Sequence, residues 1–253
     1  MRESRDRKRS AAARFGDRAA EYLDSDVHRA GDDLDRLAGW CASAERGLDV
    51  ATGAGHTAGA LLDAGVDRVV ATDAAPAMVD TATAAFPGLE GVVCDAERLP
   101  FAAASFDAVS CRIAAHHFPA PTAFVDEAAR VLEPGGTLAF EDNVAPADDA
   151  LDAFLNDVER LRDPTHVRSH GVTDWIEWLE DAGFTVETAS VVTKRIAFDE
   201  WVANVDASAE RRERIAAAFE AAPPGAAERF EFAREGGRIE SFANLKLLVK
   251  ATR

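Results

Sequence analysis

The sequence predicts an α/β fold, a Rossmann-like and mostly parallel sheet flanked by helices, on three observations. After residue 45, short apolar runs alternate with helical stretches, the pattern of strands joined by crossover helices. No internal repeat or low-complexity linker divides the chain. The stretch "LDVATGAGHTA" passes from an apolar run through a loop of small residues into a helix start, the strand–loop–helix form of a nucleotide-type site.

The elements follow in order. Residues 1–45 read as helical and amphipathic, with a basic beginning. Strands are predicted at 47–51, 68–72, 91–94, 106–112, 136–141, 185–194 and 244–251, and helices at 56–64, 76–86, 121–132 and 173–182. Gly65 and Gly183 follow two helices as C-cap glycines, "FPG" ends another, and "EPGG" turns into the fifth strand. Pro76 sits in a first helical turn, where its missing N–H costs nothing. Between the fifth strand and its crossover helix lie a further helix, "DDALDAFLNDVERL", and the segment "RDPTHVRSHG". The chain is therefore read as one unit over 1–253: a helical lid at 1–45, a cofactor-binding core at 46–145, a lid insertion at 146–172, and the rest of the sheet at 173–253. Open α/β sheets bind ligands outside the carboxyl ends of their strands, where such insertions close over a substrate.

Composition narrows the function. In 253 residues, 45 acidic against 28 basic side chains leave a formal charge of -17. Such a surface repels nucleic acid and anionic lipid, so neither is an expected partner. The acidic residues are spread evenly and the lysines are few (Lys8, Lys194, Lys246 and Lys250), which suggests a halophilic surface more than a patch for a cationic partner. No apolar stretch approaches the length of a spanning helix and the beginning of the chain lacks a signal-peptide core; the expectation is a cytoplasmic protein without integral membrane association. Cys41, Cys94 and Cys111 show no CxxC spacing, so neither a metal site nor a disulfide framework is expected. Nothing in the pattern indicates an oligomeric state.

The chemistry-bearing positions start at the bare loop. Asp49 ends the first strand, and Ala51, Gly53 and Gly55 follow before a helix whose free N–H groups favour a carboxylate or phosphate. Read as GxGxxA, the loop also fits a dinucleotide site. Asp73 ends the second strand, where a carboxylate can accept both hydroxyls of a ribose. Asp95 and the Ala96 backbone end the third, where an adenine edge could be held.

With "LDVATGAG", "VVATDAAPAMVDTA", "CDAERLPF", "FDAVSCRIAAHHF" and "EAARVLEPGGTLAFED" in order, the chain resembles the class I S-adenosylmethionine-dependent methyltransferases, in the small-molecule branch that includes ubiquinone and menaquinone C-methyltransferases. The resemblance implies a seven-stranded sheet of order 3-2-1-4-5-7-6 with its last strand antiparallel, S-adenosylmethionine as cofactor and a small-molecule acceptor. It implies Asp49, Gly53 and Gly55 around the methionyl moiety, Asp73 on the ribose, Met78 against the adenine face or ribose, and Asp95 with Ala96 at the adenine edge. Two departures stand out: Ala51 occupies a position where the family often has glycine, and "RIAAHHF" replaces an asparagine-containing segment of the quinone enzymes.

On the acceptor side, His116 and His117 follow the fourth strand, where one could serve as general base or merely brace the loop. Arg112 could pair with the substrate or with Asp142, itself a candidate after the fifth strand. His166 and Arg168 in the insertion are candidates for a polar or anionic substrate group, and Tyr22 and His28 lie on the N-terminal lid. Methyl transfer from a sulfonium needs alignment and exclusion of water more than a catalytic triad. Two other readings stay open: an NAD-dependent oxidoreductase, and a non-catalytic cofactor-binding protein of the same fold.

Overall fold

The structure, a computed structural model, describes residues 2–24, 29, 31–203, 205 and 208–253; His28 lies outside them. Among the described residues, α1 (Arg2–Gly16), α2 (Ala19–Leu23) and α3 (Asp32–Cys41) precede the sheet. In α3 the buried Leu34, Leu37, Ala38 and Cys41 recur at helical spacing, and this stripe packs on the sheet beside Ala139 and Leu248.

The core then alternates: β1 (Arg46–Val50), α4 (His56–Asp63), β2 (Arg68–Asp73), α5 (Pro76–Ala85), β3 (Leu89–Val93), β4 (Phe106–Arg112), a 3-10 turn (Ala115–His117), α6 (Pro121–Val131) and β5 (Leu132–Asn143). The insertion helix α7 (Asp149–Arg162) and α8 (Val172–Asp181) lead to β6 (Thr185–Ala197). The chain ends with α9 (Phe198–Ala203), α10 (Ala209–Glu220), α11 (Ala226–Arg229), β7 (Ala233–Glu235) and β8 (Arg238–Thr252). The sheet runs β3-β2-β1-β4-β5-β8-β6, with β8 antiparallel to both neighbours. Among its seven long strands this is the implied order; the eighth, β7, is an addition that pairs only with β8.

Three differences from the expected elements have physical causes, two of them local. β5 begins at Leu132, because "EPGG" forms an irregularity inside the β4–β5 ladder instead of preceding it. β7 exists because Gly236 and Gly237, at φ 56° and 83°, turn the chain so that Glu235 pairs with Arg238. Helices α9 and α10, in a stretch to which the sequence reading assigned no element, form where Phe198, Trp201, Val202, Ile215 and Phe219 bury together against Val158 of α7. The C-terminal helices and the 146–172 insertion thus make one cluster. Among the described residues, no helix is long and apolar enough to cross a membrane.

Candidate active site

A cavity of about 720 Å³ opens at the carboxyl ends of β1, β2, β4 and β5, reached also by α1 and α2, the end of α7 and Trp201 of α9. It gathers Tyr22, Ala51, Gly53, Asp73, Met78, Asp95, Ala96, Arg112, His116 and His117 from the positions expected by sequence. Asp49, Gly55, Asp142, His166 and Arg168 do not line it.

The loop after β1 is supported from beneath. Asp49 is buried and accepts hydrogen bonds from Thr52 Oγ1 and Ser110 Oγ, both at 2.6 Å, so it braces the loop without reaching the cavity. Burial pushes its carboxyl up to about 6 against those hydroxyl donors. Ala51 takes φ 55°, a left-handed conformation costly for any residue with a Cβ, and Gly53 takes the same φ. A Cβ on Gly53 would meet nothing within 4 Å, so the backbone there is bare toward the cavity. Gly55 serves packing instead: a Cβ there would come within 2.9 Å of the Ala82 Cα on α5.

Asp73 accepts from the Gly53 N–H at 3.1 Å and the Ala75 N–H at 2.9 Å, one on each carboxylate oxygen, which leaves each oxygen a further lone pair. Burial raises its pKa, opposed by those N–H groups. Asp95 is 43% exposed and ion-paired to Lys8 of α1 at 2.7 Å, while Lys8 also reaches Glu97. The sulfonium nucleoside fits this set: an open glycine loop, a strand-end carboxylate with capacity for a diol, and a third-strand edge at Asp95 and Ala96. Met78 completes this wall, packed with Ala75 and Ala19 and flanked by Phe15 and Tyr22.

The other half of the cavity centres on the 3-10 turn. Asp142, fully buried, accepts from the His116 backbone N–H and from His116 Nδ1–H, both at 2.6 Å. Burial pushes the Asp142 carboxyl up, but the facing imidazole and N–H groups outweigh it and hold it below the usual range. In the neutral form of the ring, with Nδ1 committed as donor, Nε2 of His116 carries a lone pair. His117 Nδ1–H donates to the Thr165 carbonyl at 3.1 Å, and Thr165 Oγ1 donates onward to Asp163 at 2.7 Å. Its ring packs against Phe15 of α1, and burial followed by the neighbouring His116 pushes its pKa down to about 3, so it is neutral at physiological pH. Ile113, between β4 and this turn, takes φ 54°, rare for a β-branched residue and a mark of backbone held by its surroundings.

Other positions are placed differently from the expectation. Arg112 does not pair with Asp142; its Nε donates to Glu141 at 2.8 Å and its terminal nitrogen to Asp33 of α3 at 2.5 Å, because β4–β5 register sets Arg112 beside Glu141. His166 is buried beside the cluster and donates from Nε2 to Asn156 Oδ1 at 3.0 Å; burial holds its pKa well below the usual value. Arg168 is drawn to Asp152 at 2.5 Å, outside the cavity. The main-chain N–H groups of Val167 and Arg168 donate to the His116 carbonyl, so the insertion straps the turn.

Several lining residues were not anticipated: Lys8 and Phe15 of α1, Arg162 and Trp201, and Asn143, Asn244 and Lys246 on β5 and β8. For the last two a signal existed. In "FANLKLLVK" the polar Asn244 and Lys246 stand two apart, on one face of a run that is otherwise apolar from residue 242 to 249.

A family model described as a methyltransferase domain matches residues 48–140. The uncharacterized methyltransferase YcgJ of Bacillus subtilis is 36% identical over 208 residues, covering 79% of this chain and 82% of that one. A demethylmenaquinone methyltransferase of Beutenbergia cavernae is 38% identical over 143 residues, with 53% of this chain and 58% of that one covered. Among solved structures, BH2331 of Bacillus halodurans superposes with a TM-score of 0.84 at 39% identity, covering 88% of this chain and 99% of that one. Cofactor-fitting geometry, motif order and relatives agree, and they favour methyl transfer over hydride transfer or a non-catalytic role: the chain belongs to the class I S-adenosylmethionine-dependent methyltransferases.

Proposed function

We propose that the chain methylates an oxygen or nitrogen of a small-molecule acceptor, with His116 accepting the proton and Asp142 positioning it. The observation that carries this is the 2.6 Å bond from His116 Nδ1 to a buried carboxylate, at the edge of the cavity that also holds Asp73 and Asp95. A carboxylate on Nδ1 fixes the tautomer and favours the imidazolium that proton transfer creates. The other histidine, neutral and bonded to Thr165, shapes the acceptor wall.

S-adenosylmethionine supplies an electrophilic methyl group on a sulfonium. The chain's own residues bind and orient: Gly53 and the loop after β1 toward the methionyl part, Asp73 toward the ribose hydroxyls, Asp95 and Ala96 toward the adenine edge, and Met78 against the ring or ribose. Residues 1–45 and 146–172 act as a lid that excludes water, in keeping with the reach of Phe15, Tyr22 and Arg162 into the cavity. The demethylmenaquinone methyltransferase relatives support a small-molecule acceptor, although "RIAAHHF" departs from the quinone enzymes at the acceptor turn. The acidic surface and the lack of a long apolar segment support action in the cytoplasm on a substrate other than nucleic acid.

Labelled methyl transfer into a cell extract identifies the acceptor, and single-turnover rates then test the base. His116→Ala is expected to slow the chemical step by roughly 10² to 10⁴ with unchanged affinity for S-adenosylhomocysteine. Asp142→Asn is expected to shift the pH profile as well as the rate, and His117→Ala to keep most of it. A His116→Ala variant with the wild-type rate and pH profile eliminates the histidine base.

A further inference from the structure

The β5–β8 wall of the cavity carries polar groups that methyl transfer and cofactor binding leave unused. Asn143 and Lys246 are cross-strand partners, and Asn244 lies two residues along β8 on the same face. All three line the cavity. The Lys246 side chain is 3% exposed; its ammonium donates to Asn143 Oδ1 at 2.9 Å and stands 4.0 Å from Glu141 Oε1, beyond hydrogen-bond range. Two of its three N–H groups thus lack an acceptor among the described residues. Glu141 is already engaged through its other oxygen by Arg112. Among the described residues, Asn244 Oδ1 and the remaining oxygen of Glu141, Oε1, are both buried without a hydrogen-bond partner.

Buried donors and acceptors left unmatched are costly, and Leu245, Leu247, Leu248 and Val249 show that this part of β8 accommodates apolar side chains in the core. A purely structural Lys246 would therefore be poorly chosen. An ammonium with spare N–H groups beside an orphaned acceptor matches a ligand that brings an anionic oxygen and a neighbouring hydrogen-bond donor.

Resting on the methyltransferase reading of the cavity, we infer that Lys246, Asn143 and Asn244 anchor the methyl acceptor, and that the acceptor carries an anionic oxygen, either a carboxylate or an ionised hydroxyl. In a protein of charge -17, a local cation is also what an anionic acceptor needs to enter.

The presence of only four lysines makes the test direct. Protein labelled with ¹³C at lysine Cε gives four signals, assigned by Lys8→Arg, Lys194→Arg and Lys250→Arg, so that Lys246 itself stays intact. With S-adenosylhomocysteine bound and ionic strength held constant, the protein is titrated with acetate, with 4-nitrophenolate and with neutral acetamide. The Lys246 signal is expected to move saturably with at least one anion, at a concentration about tenfold or more below that needed for acetamide, while the other three lysines do not saturate. Saturation by acetate alone assigns a carboxylate, and by 4-nitrophenolate alone an ionised hydroxyl. A Lys246 signal that neither anion moves, or that acetamide moves equally, overturns the inference. Lys246→Gln provides a second check read by calorimetry: it is expected to bind S-adenosylhomocysteine as wild type does while the heat of binding of the same anion to that complex is lost, and anion binding equal to wild type overturns the inference. Calorimetry with S-adenosylhomocysteine separates the two levels: failure there removes the cofactor reading and the inference with it, whereas S-adenosylhomocysteine binding without an anion response at Lys246 removes the inference alone.

Discussion

Asp49 and Asp73 end adjacent strands, yet one turns under the loop and the other faces the cavity. Asp49, raised to about 6 from an ordinary 3.8, binds a proton more readily in the folded than in the unfolded chain. Its contribution to stability therefore falls as pH rises from about 4 to about 6 and stays unfavourable above that, by up to about 3 kcal/mol. Asp49→Asn is expected to exceed wild type in urea-unfolding stability at pH 8, with the difference vanishing near pH 4; the reverse order would mean that Ser110 and Thr52 favour the ionised form enough to overcome burial. Asp73→Ala should weaken S-adenosylhomocysteine binding at least tenfold, since two charge-assisted hydrogen bonds of about 1.5–3 kcal/mol each are lost. Asp73→Asn, which keeps an acceptor for the loop N–H groups, should fall between the two, and calorimetric affinities equal to wild type would take Asp73 out of the site. From sequence, both carboxylates looked alike as strand-end acids. Only the contacts of Thr52 and Ser110 with Asp49, and of Gly53 and Ala75 with Asp73, separate a brace from a ligand-facing group.

Helix α1 docks over the cavity through packing and polar contacts together: Ala12 and Phe15 pack with Met78 and Ala75, and Arg14 donates to the Val205 carbonyl at 2.9 Å and stands 3.7 Å from Asp163. Phe15 of α1 meets Tyr22 at 5.8 Å and His117 at 4.9 Å between ring centroids, and Lys8 adds an ion pair at the partly exposed Asp95. The partly exposed Lys8–Asp95 pair is worth about 0–1 kcal/mol, so the apolar packing of Phe15 outweighs it. Phe15→Ala is expected to speed tryptic cleavage within α1 and after Arg18 several-fold while the melting temperature of the sheet changes little, because local opening is set by the contacts of that element alone. An unchanged cleavage rate would show that α1 is held elsewhere. The central strands and their crossover helices were legible because apolar runs, Pro76, Gly65 and Gly183 mark them locally. Helix α10, "AERRERIAAAFE", was not: its buried face reduces to Ile215 and Phe219, whose partners come from α7, α9 and β8.

Charge acts on the molecule as a whole. With -17 distributed over the surface, self-repulsion opposes the compact state and added salt screens it. The melting temperature is expected to climb by several degrees between about 0.1 and 2 M potassium chloride; a flat or falling curve would contradict the halophilic reading of the composition. Sequence by itself determined the family through five ordered motifs, with the strand order that the resemblance implies, and it singled out the loop at Gly53 and the acids at 73 and 95 that line the cavity. The loop and the two acids are legible because each belongs to a short segment whose strand-end position is marked locally. The acceptor side was decided only by tertiary structure. Asp142 meets His116, Glu141 takes Arg112 away from it, Asn156 and Asp152 withdraw His166 and Arg168, and antiparallel pairing sets Lys246 beside Asn143. Each of those pairings joins residues from different elements, and strand register and helix packing settle which side chains meet.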